Sequence, residues 1–102
     1  MQVIRIVSGR LRPGTWDKFE ATLTQAVEQV GDVPGLVSRS LVRNLKEPDS
    51  GYTISIWESE AAVQSYEKSA LSKKINPMLQ SYFTGDYSVE HGELRYWVNK
   101  ND

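Results

Sequence analysis

Across TISIWESEAAVQSY, residues 53–66, apolar side chains alternate as far as Trp57 and from Ala61 onward group at three- and four-residue spacing. A period of two lines one face of a strand and a period near 3.6 lines one face of a helix, so a strand hands over to a helix here. The same change occurs earlier: QVIRIVSGRL, residues 2–11, is rich in β-branched types and is broken by Pro13-Gly14. From there Trp16, Phe19, Leu23, Ala26, Val27 and Val30 keep helical spacing. Two strand-to-helix transitions in 102 residues require sheet and helix together, and a chain of this length builds one core rather than two. Residues 1–102 are therefore expected to be a single domain, with a core over about 3–97 and a polar tail, NKND, over 99–102.

The boundaries carry their own signals. Thr15 is available as N-cap of the first helix, Asp17 suits its first turn and Gly31 its end. After GDVPG, residues 36–44 read as a second strand, KEPDSG as a turn and 52–58 as a third strand, the last two strands forming an antiparallel hairpin. Ser59 can cap the next helix, and Leu71, Ile75, Met78, Leu79 and Tyr82 prolong its spacing. Pro77 removes a backbone donor, so this region is expected to split into two helical pieces between Ser69 and Pro77, with Asn76 able to cap the second and Pro77 as its first residue. TGD then opens a last extended run, Tyr87 to Val98.

The resulting order, βαββαβ, is the ferredoxin-like pattern of an antiparallel sheet with both helices on one face. Neither face of that sheet reads as solvated. Ile4 and Ile6 oppose Val3 and Val7; Leu36 and Val42 alternate against Val37 and Leu41; Ile54 and Ile56 oppose Trp57. A sheet facing water on one side would alternate apolar with polar, so the bare face is expected to be covered, in a chain this short by a second copy.

Composition closes several routes. With no cysteine, disulfides, thiolate metal sites and thiol nucleophiles are excluded. A net charge of -1 gives no general attraction to nucleic acid or anionic membrane. Lys73-Lys74 reads as a solvated helix face, because no basic stripe with interleaved aromatics accompanies it. Arg5 and Arg10 interrupt the apolar N-terminal portion, which therefore does not read as a secretory leader, and no run approaches the ~18 apolar residues of a membrane span. The expected location is the cytoplasm.

Taken together, RLRPGTWDKFEATLTQAVEQV, PGLVSRSLVRNLKEPDSGYTISIWESEAAVQSYEKS and the elements they imply resemble the antibiotic biosynthesis monooxygenase domain family. The marks are Pro13-Gly14 before the first helix, Pro34-Gly35 before the second strand, Arg43-Asn44 with a polar turn, and Trp57-Glu58-Ser59 with Ala61 and Tyr66 downstream. The resemblance implies a dimeric α+β barrel, two sheets packed face to face, with a pocket between helices and sheet in each subunit. Its members include enzymes that oxidise phenols or quinols with molecular oxygen and no metal or flavin, enzymes that cleave haem, and proteins without assigned activity. Haem-cleaving members carry asparagine, tryptophan and an iron-ligating histidine at positions corresponding to Val7, Tyr66 and Asn76, and none of the three matches. No cofactor and no metal is expected.

Cofactor-free oxidation asks for an aromatic wall, a hydrogen-bonding or basic group and a donor for the substrate anion. Trp16, Phe19, Trp57, Tyr82 and Phe83 are the candidate wall for a small aromatic or hydrophobic molecule, although Trp57 reads first as a core residue where strand meets helix. Tyr66 and Asn76 are the candidate catalytic groups on the second helical region. Arg39, like Arg5, interrupts an apolar strand and must find an anion, either a ligand or an ion-pair partner across a dimer seam, or reach solvent. His91, the single histidine, reads as a surface or bulge residue and alternatively as a base. The readings left open are a monooxygenase, a non-catalytic dimeric module that binds a hydrophobic ligand or mediates interactions, and an isomerase or decarboxylase acting on a cyclic enol.

Overall fold

In the computed structural model, which describes residues 1–99, strand gives way to helix at both places where the period of the sequence changes. The elements are β1 (Val3–Arg10), α1 (Trp16–Val30), β2 (Leu36–Arg43), β3 (Ser50–Trp57), α2 (Glu60–Lys68), α3 (Ala70–Gln80) and β4 (Ser88–Glu93). From residue 100 onward the expected polar tail lies outside the described residues.

Ser59 caps α2 by accepting from the Ala62 amide at 3.1 Å. Thr15 does not cap α1 in this way; its hydroxyl donates back to the Arg12 carbonyl at 2.7 Å, while its own carbonyl takes the first helical bond from Phe19. The expected break in the second helical region falls at Ser69. That residue accepts from the Ser72 amide and donates to the Tyr66 carbonyl, so it ends α2 and starts α3 at once. Pro77 consequently sits inside α3, on its exposed side, and Asn76 is not a cap: its amide group donates to Ser72 Oγ at 2.7 Å.

The four strands form one sheet in the order β2-β3-β1-β4, with every neighbouring pair antiparallel. This is the ferredoxin-like α+β arrangement, with the second helical region divided in two. The last strand is shorter than the expected run from Tyr87 to Val98. Beyond Glu93 the Leu94 amide donates to the Gln2 carbonyl at 2.9 Å, and Tyr96, Trp97 and Val98 are exposed.

Residues opposite one another in register share a face, so the helix-facing side of the sheet can be read in rows. At one end Leu36, Trp57, Val3 and Glu93 align; the next row holds Arg39, Ser55, Arg5 and His91; then come Leu41, Thr53, Val7 and Val89, and last Arg43, Gly51 and Gly9. The outer face carries Ile4, Ile6, Ile54, Ile56 and Val42 among Ser8, Ser38, Ser40, Ser88 and Glu90. Leu36 was expected beside Val42, yet it faces the helices with Leu41. A register shift between Leu36 and Ser38 inserts one extra residue, which moves every side chain before it to the other face.

Two apolar clusters join helices to sheet. Val3, Trp57, Val63 and Tyr66 pack with Val33, Leu36, Ala62 and Leu71 at one end. Leu11, Trp16 and Phe19 pack with Leu41, Leu79, Tyr82 and Phe83 at the other.

Candidate functional site

Between the two clusters the helices stand off the sheet and leave a cavity of about 360 Å³. Its floor is the row of Leu41, Thr53, Val7 and Val89, and its roof is Trp16, Phe19, Leu23 and Val27 of α1 with Ile75, Asn76 and Leu79 of α3. Leu11, Phe83 and Tyr87 close the far end, where glycines bring the aromatic rings down onto the sheet. A Cβ on Gly9 would stand 2.6 Å from the Phe83 ring, and one on Gly51 would stand 2.8 Å from the Trp16 ring. The ring of Phe19 makes edge contacts with Phe83 at 5.9 Å and with Tyr82 at 5.8 Å, and Phe83 stacks on Tyr87 at 5.2 Å. Arg43 covers the outer side of Trp16, its guanidinium 5.0 Å from the ring centroid.

The near end of the cavity is polar. Tyr66 and Glu67 of α2 come down on the row that holds Arg5 and Arg39, and all four line the void. Arg5 Nε donates to Glu67 Oε2 at 2.9 Å, and His91 Nε2 donates to the same oxygen at 2.9 Å. Burial would raise the Glu67 carboxyl, but hydrogen bonds from Arg5 and His91, together with their positive charge, outweigh it and hold the group below the usual glutamate range. Glu67 is thus an ionised anchor and a weak base. The guanidinium carbons of Arg39 and Arg5 lie 5.7 and 6.0 Å from the Tyr66 ring centroid.

Of the residues singled out in the sequence, Trp16, Phe19, Arg39, Tyr66, Asn76 and Phe83 line this one cavity. Trp57 and Tyr82 are not among its lining residues. Trp57 is wholly buried, its ring tilted against that of Tyr66 with centroids 4.9 Å apart, and its indole N–H donates to Ser55 Oγ. Tyr82 stands behind Phe19, its hydroxyl bonded to Thr22. Arg5 finds its anion within its own chain, neither across a seam nor in solvent, and its side chain is only 12% exposed. His91 is exposed on β4 in regular register, with no bulge, and lies outside the cavity. Glu67 is the functional group that sequence reasoning missed. A signal for it existed: an arginine inside a strand requires a carboxylate, and Glu67 follows Val63 by four residues on the inward side of α2. Among the described residues no cluster of three or more histidine, aspartate or glutamate side chains is placed to hold a metal ion, and no helix is long and apolar enough to cross a membrane.

A model of the antibiotic biosynthesis monooxygenase family matches residues 2–77. The fold is shared with solved structures of low sequence identity. A mutant of SnoaB, a cofactor-independent oxygenase from Streptomyces nogalater, superposes with a TM-score of 0.82 at 15% identity, over 97% of this chain and 98% of that one. A conserved protein from Methanosarcina mazei gives 0.80 at 18% identity over 93% and 95% of the two chains. Rv0793 from Mycobacterium tuberculosis gives 0.80 at 14% identity over 97% and 100%. No curated protein matches the sequence.

Proposed function

Because the chain belongs to the antibiotic biosynthesis monooxygenase family, we propose that it is a cofactor-independent monooxygenase that oxidises a small phenolic or quinol-type aromatic with molecular oxygen. The observation that carries this reading is the cavity. Its volume of about 360 Å³ falls in the range of small-molecule sites, its walls are mostly apolar and aromatic, and its charged groups gather at one end. Tyr66 and Asn76 both line it, and neither the Tyr66 hydroxyl nor the Asn76 carbonyl oxygen has a partner among the described residues. In such a reaction the substrate anion supplies the electrons. A carbon–oxygen bond forms with O2, the O–O bond breaks, one oxygen atom stays as a ring carbonyl and the other leaves as water with the two hydrogens lost from substrate. Tyr66 would hydrogen-bond the reacting oxygen and Asn76 would orient the ring, within walls that keep water from the anion. Oxygen uptake with a panel of quinols and anthrones tests this: Tyr66→Phe and Asn76→Ala should each lower the rate at least tenfold, and unchanged rates would remove both residues from the mechanism.

One observation favours the competing reading of a non-catalytic binding module. Among the described residues no titratable base is hydrogen-bonded to the Tyr66 hydroxyl, and the nearby carboxylate of Glu67 is engaged by Arg5 and His91. Ligand binding without oxygen consumption across the panel would select that module.

The assembly we propose is a homodimer through the outer sheet face. Its support is the patch of Ile4, Ile6, Ile54 and Val42, half-buried in one chain and continuous across three strands. Light scattering should return twice the mass of one chain at micromolar concentration.

A further inference from the structure

The cavity holds more positive charge than the chain neutralises. Its charged lining residues are Arg5, Arg39 and Glu67. Glu67 is committed to Arg5 at 2.9 Å and to His91 at 2.9 Å, both through one oxygen. The Arg39 guanidinium has no hydrogen bond and no carboxylate partner among the described residues, although the residue is half-buried at the centre of β2, the edge strand of the sheet. Its stem passes a small recess lined by Val27, Val30, Val33 and Leu71, so its surroundings are aliphatic as well as aromatic. The ring of Tyr66, 5.7 Å from the guanidinium, already has Arg5 at 6.0 Å and offsets only part of the charge. A guanidinium in such a place is costly unless an anion reaches it, and its planar fork matches a carboxylate in two parallel hydrogen bonds.

The sheet rows set the distance between this charge and the aromatic end. From Arg5 to Gly9 is four residues along β1, roughly 13 Å at ~3.3 Å per residue. The void thus runs from a cationic row to a wall of Phe19 and Phe83, over an apolar floor at Val7. We propose that the cavity selects an aromatic carboxylic acid of about two fused rings, its carboxylate held by Arg39 beside the Tyr66 hydroxyl and its rings over Val7 against Phe19 and Phe83. This deepens the monooxygenase reading and rests on the same cavity, making Arg39 a specificity-determining residue distinct from the groups that meet the oxidised carbon.

Anaerobic calorimetric titration with 1-hydroxy-2-naphthoate and with 1-naphthol separates recognition from oxidation, because the two probes differ only in the carboxylate. The acid should bind the wild-type protein at least tenfold more tightly, and the preference should shrink as salt rises. Arg39→Met should abolish the preference while leaving 1-naphthol affinity within twofold; Arg39→Lys, which keeps the charge but not the fork, should retain part of it. Thermal melting of both variants reports whether they fold, and Arg39→Lys carries the comparison if Arg39→Met does not. Equal affinity for the two probes, binding of neither, or parallel loss of both in Arg39→Met and Arg39→Lys would overturn the proposal. Retained preference for the acid without oxygen uptake on any quinol would sink the monooxygenase reading and leave acid recognition standing.

Discussion

The two aromatic clusters at opposite ends of the helix–sheet layer are built from similar residues and do different things. At one end Trp57 lies on the sheet between Leu36 and Val3, the Tyr66 ring packs against it at a tilt, and Trp57 is left with no exposed surface. At the other end Trp16, Phe19 and Phe83 are equally apolar, but the row of the sheet beneath them carries Gly51 and Gly9. The rings there descend onto bare backbone and seal one end, while the next row, Val7 and Thr53, is left under the open roof. Large side chains on the sheet fill the gap between layers and glycines let the layers pinch together. The void lies where neither happens, so the cavity follows from side-chain size along the strands and not from aromatic content.

Substitutions at the two ends should separate stability from binding. The largest loss is expected from Trp57→Ala, about 3–5 kcal/mol by urea unfolding, because it removes the wholly buried ring and the indole donor to Ser55 Oγ, which keeps only its bond to the Arg5 carbonyl. If Phe19→Ala cost as much, the contrast between a closed cluster and one that borders the void would not stand. Gly9→Ala comes next. Its methyl would meet the Phe83 ring at 2.6 Å, so Phe83 must move, at about 1–3 kcal/mol, and ring-sized ligands should bind more weakly. Val7→Phe projects a ring into the void from its floor and should change stability by no more than about 1.5 kcal/mol while abolishing binding of bicyclic probes. Retained binding in Val7→Phe would place the ligand elsewhere.

These contrasts also explain how far the sequence could be read. The change of period within TISIWESEAAVQSY, with Ser59 as cap, located β3, its junction and α2 correctly, because those signals are local. Pro77 misled in its details: a proline is tolerated on the exposed side of α3, and Ser69, with bonds to both neighbouring helices, is the stronger breaker. Leu36 was assigned to the wrong face since a bulge leaves no mark in an alternating pattern. The candidate site was half legible. Trp16, Phe19, Tyr66 and Phe83 announce themselves by type, whereas Val7, Leu41 and Leu79 line the cavity only because three elements distant in sequence converge there. Glu67 escaped for the same reason, its partner Arg5 lying 62 residues away.

The smallest effect expected is the pH response of that pair, and it tests whether the polar end of the cavity is a structural brace as well as a binding surface. The Glu67 carboxyl titrates lower in the folded chain than in the unfolded one, so its pairing contributes stability above the ordinary glutamate range. That contribution is lost as pH falls through the depressed folded value, when protonation releases Arg5 and His91 together. Water screens the partly exposed pair, so the whole effect should stay under about 1 kcal/mol. Stability measured by urea midpoint should therefore decline less steeply below the ordinary glutamate range in Glu67→Gln than in wild type, with the two curves diverging most near neutrality. Parallel curves would mean that Arg5 is held by its packing against Tyr66 alone. In that case the cationic end of the cavity carries two uncommitted guanidinium groups rather than one.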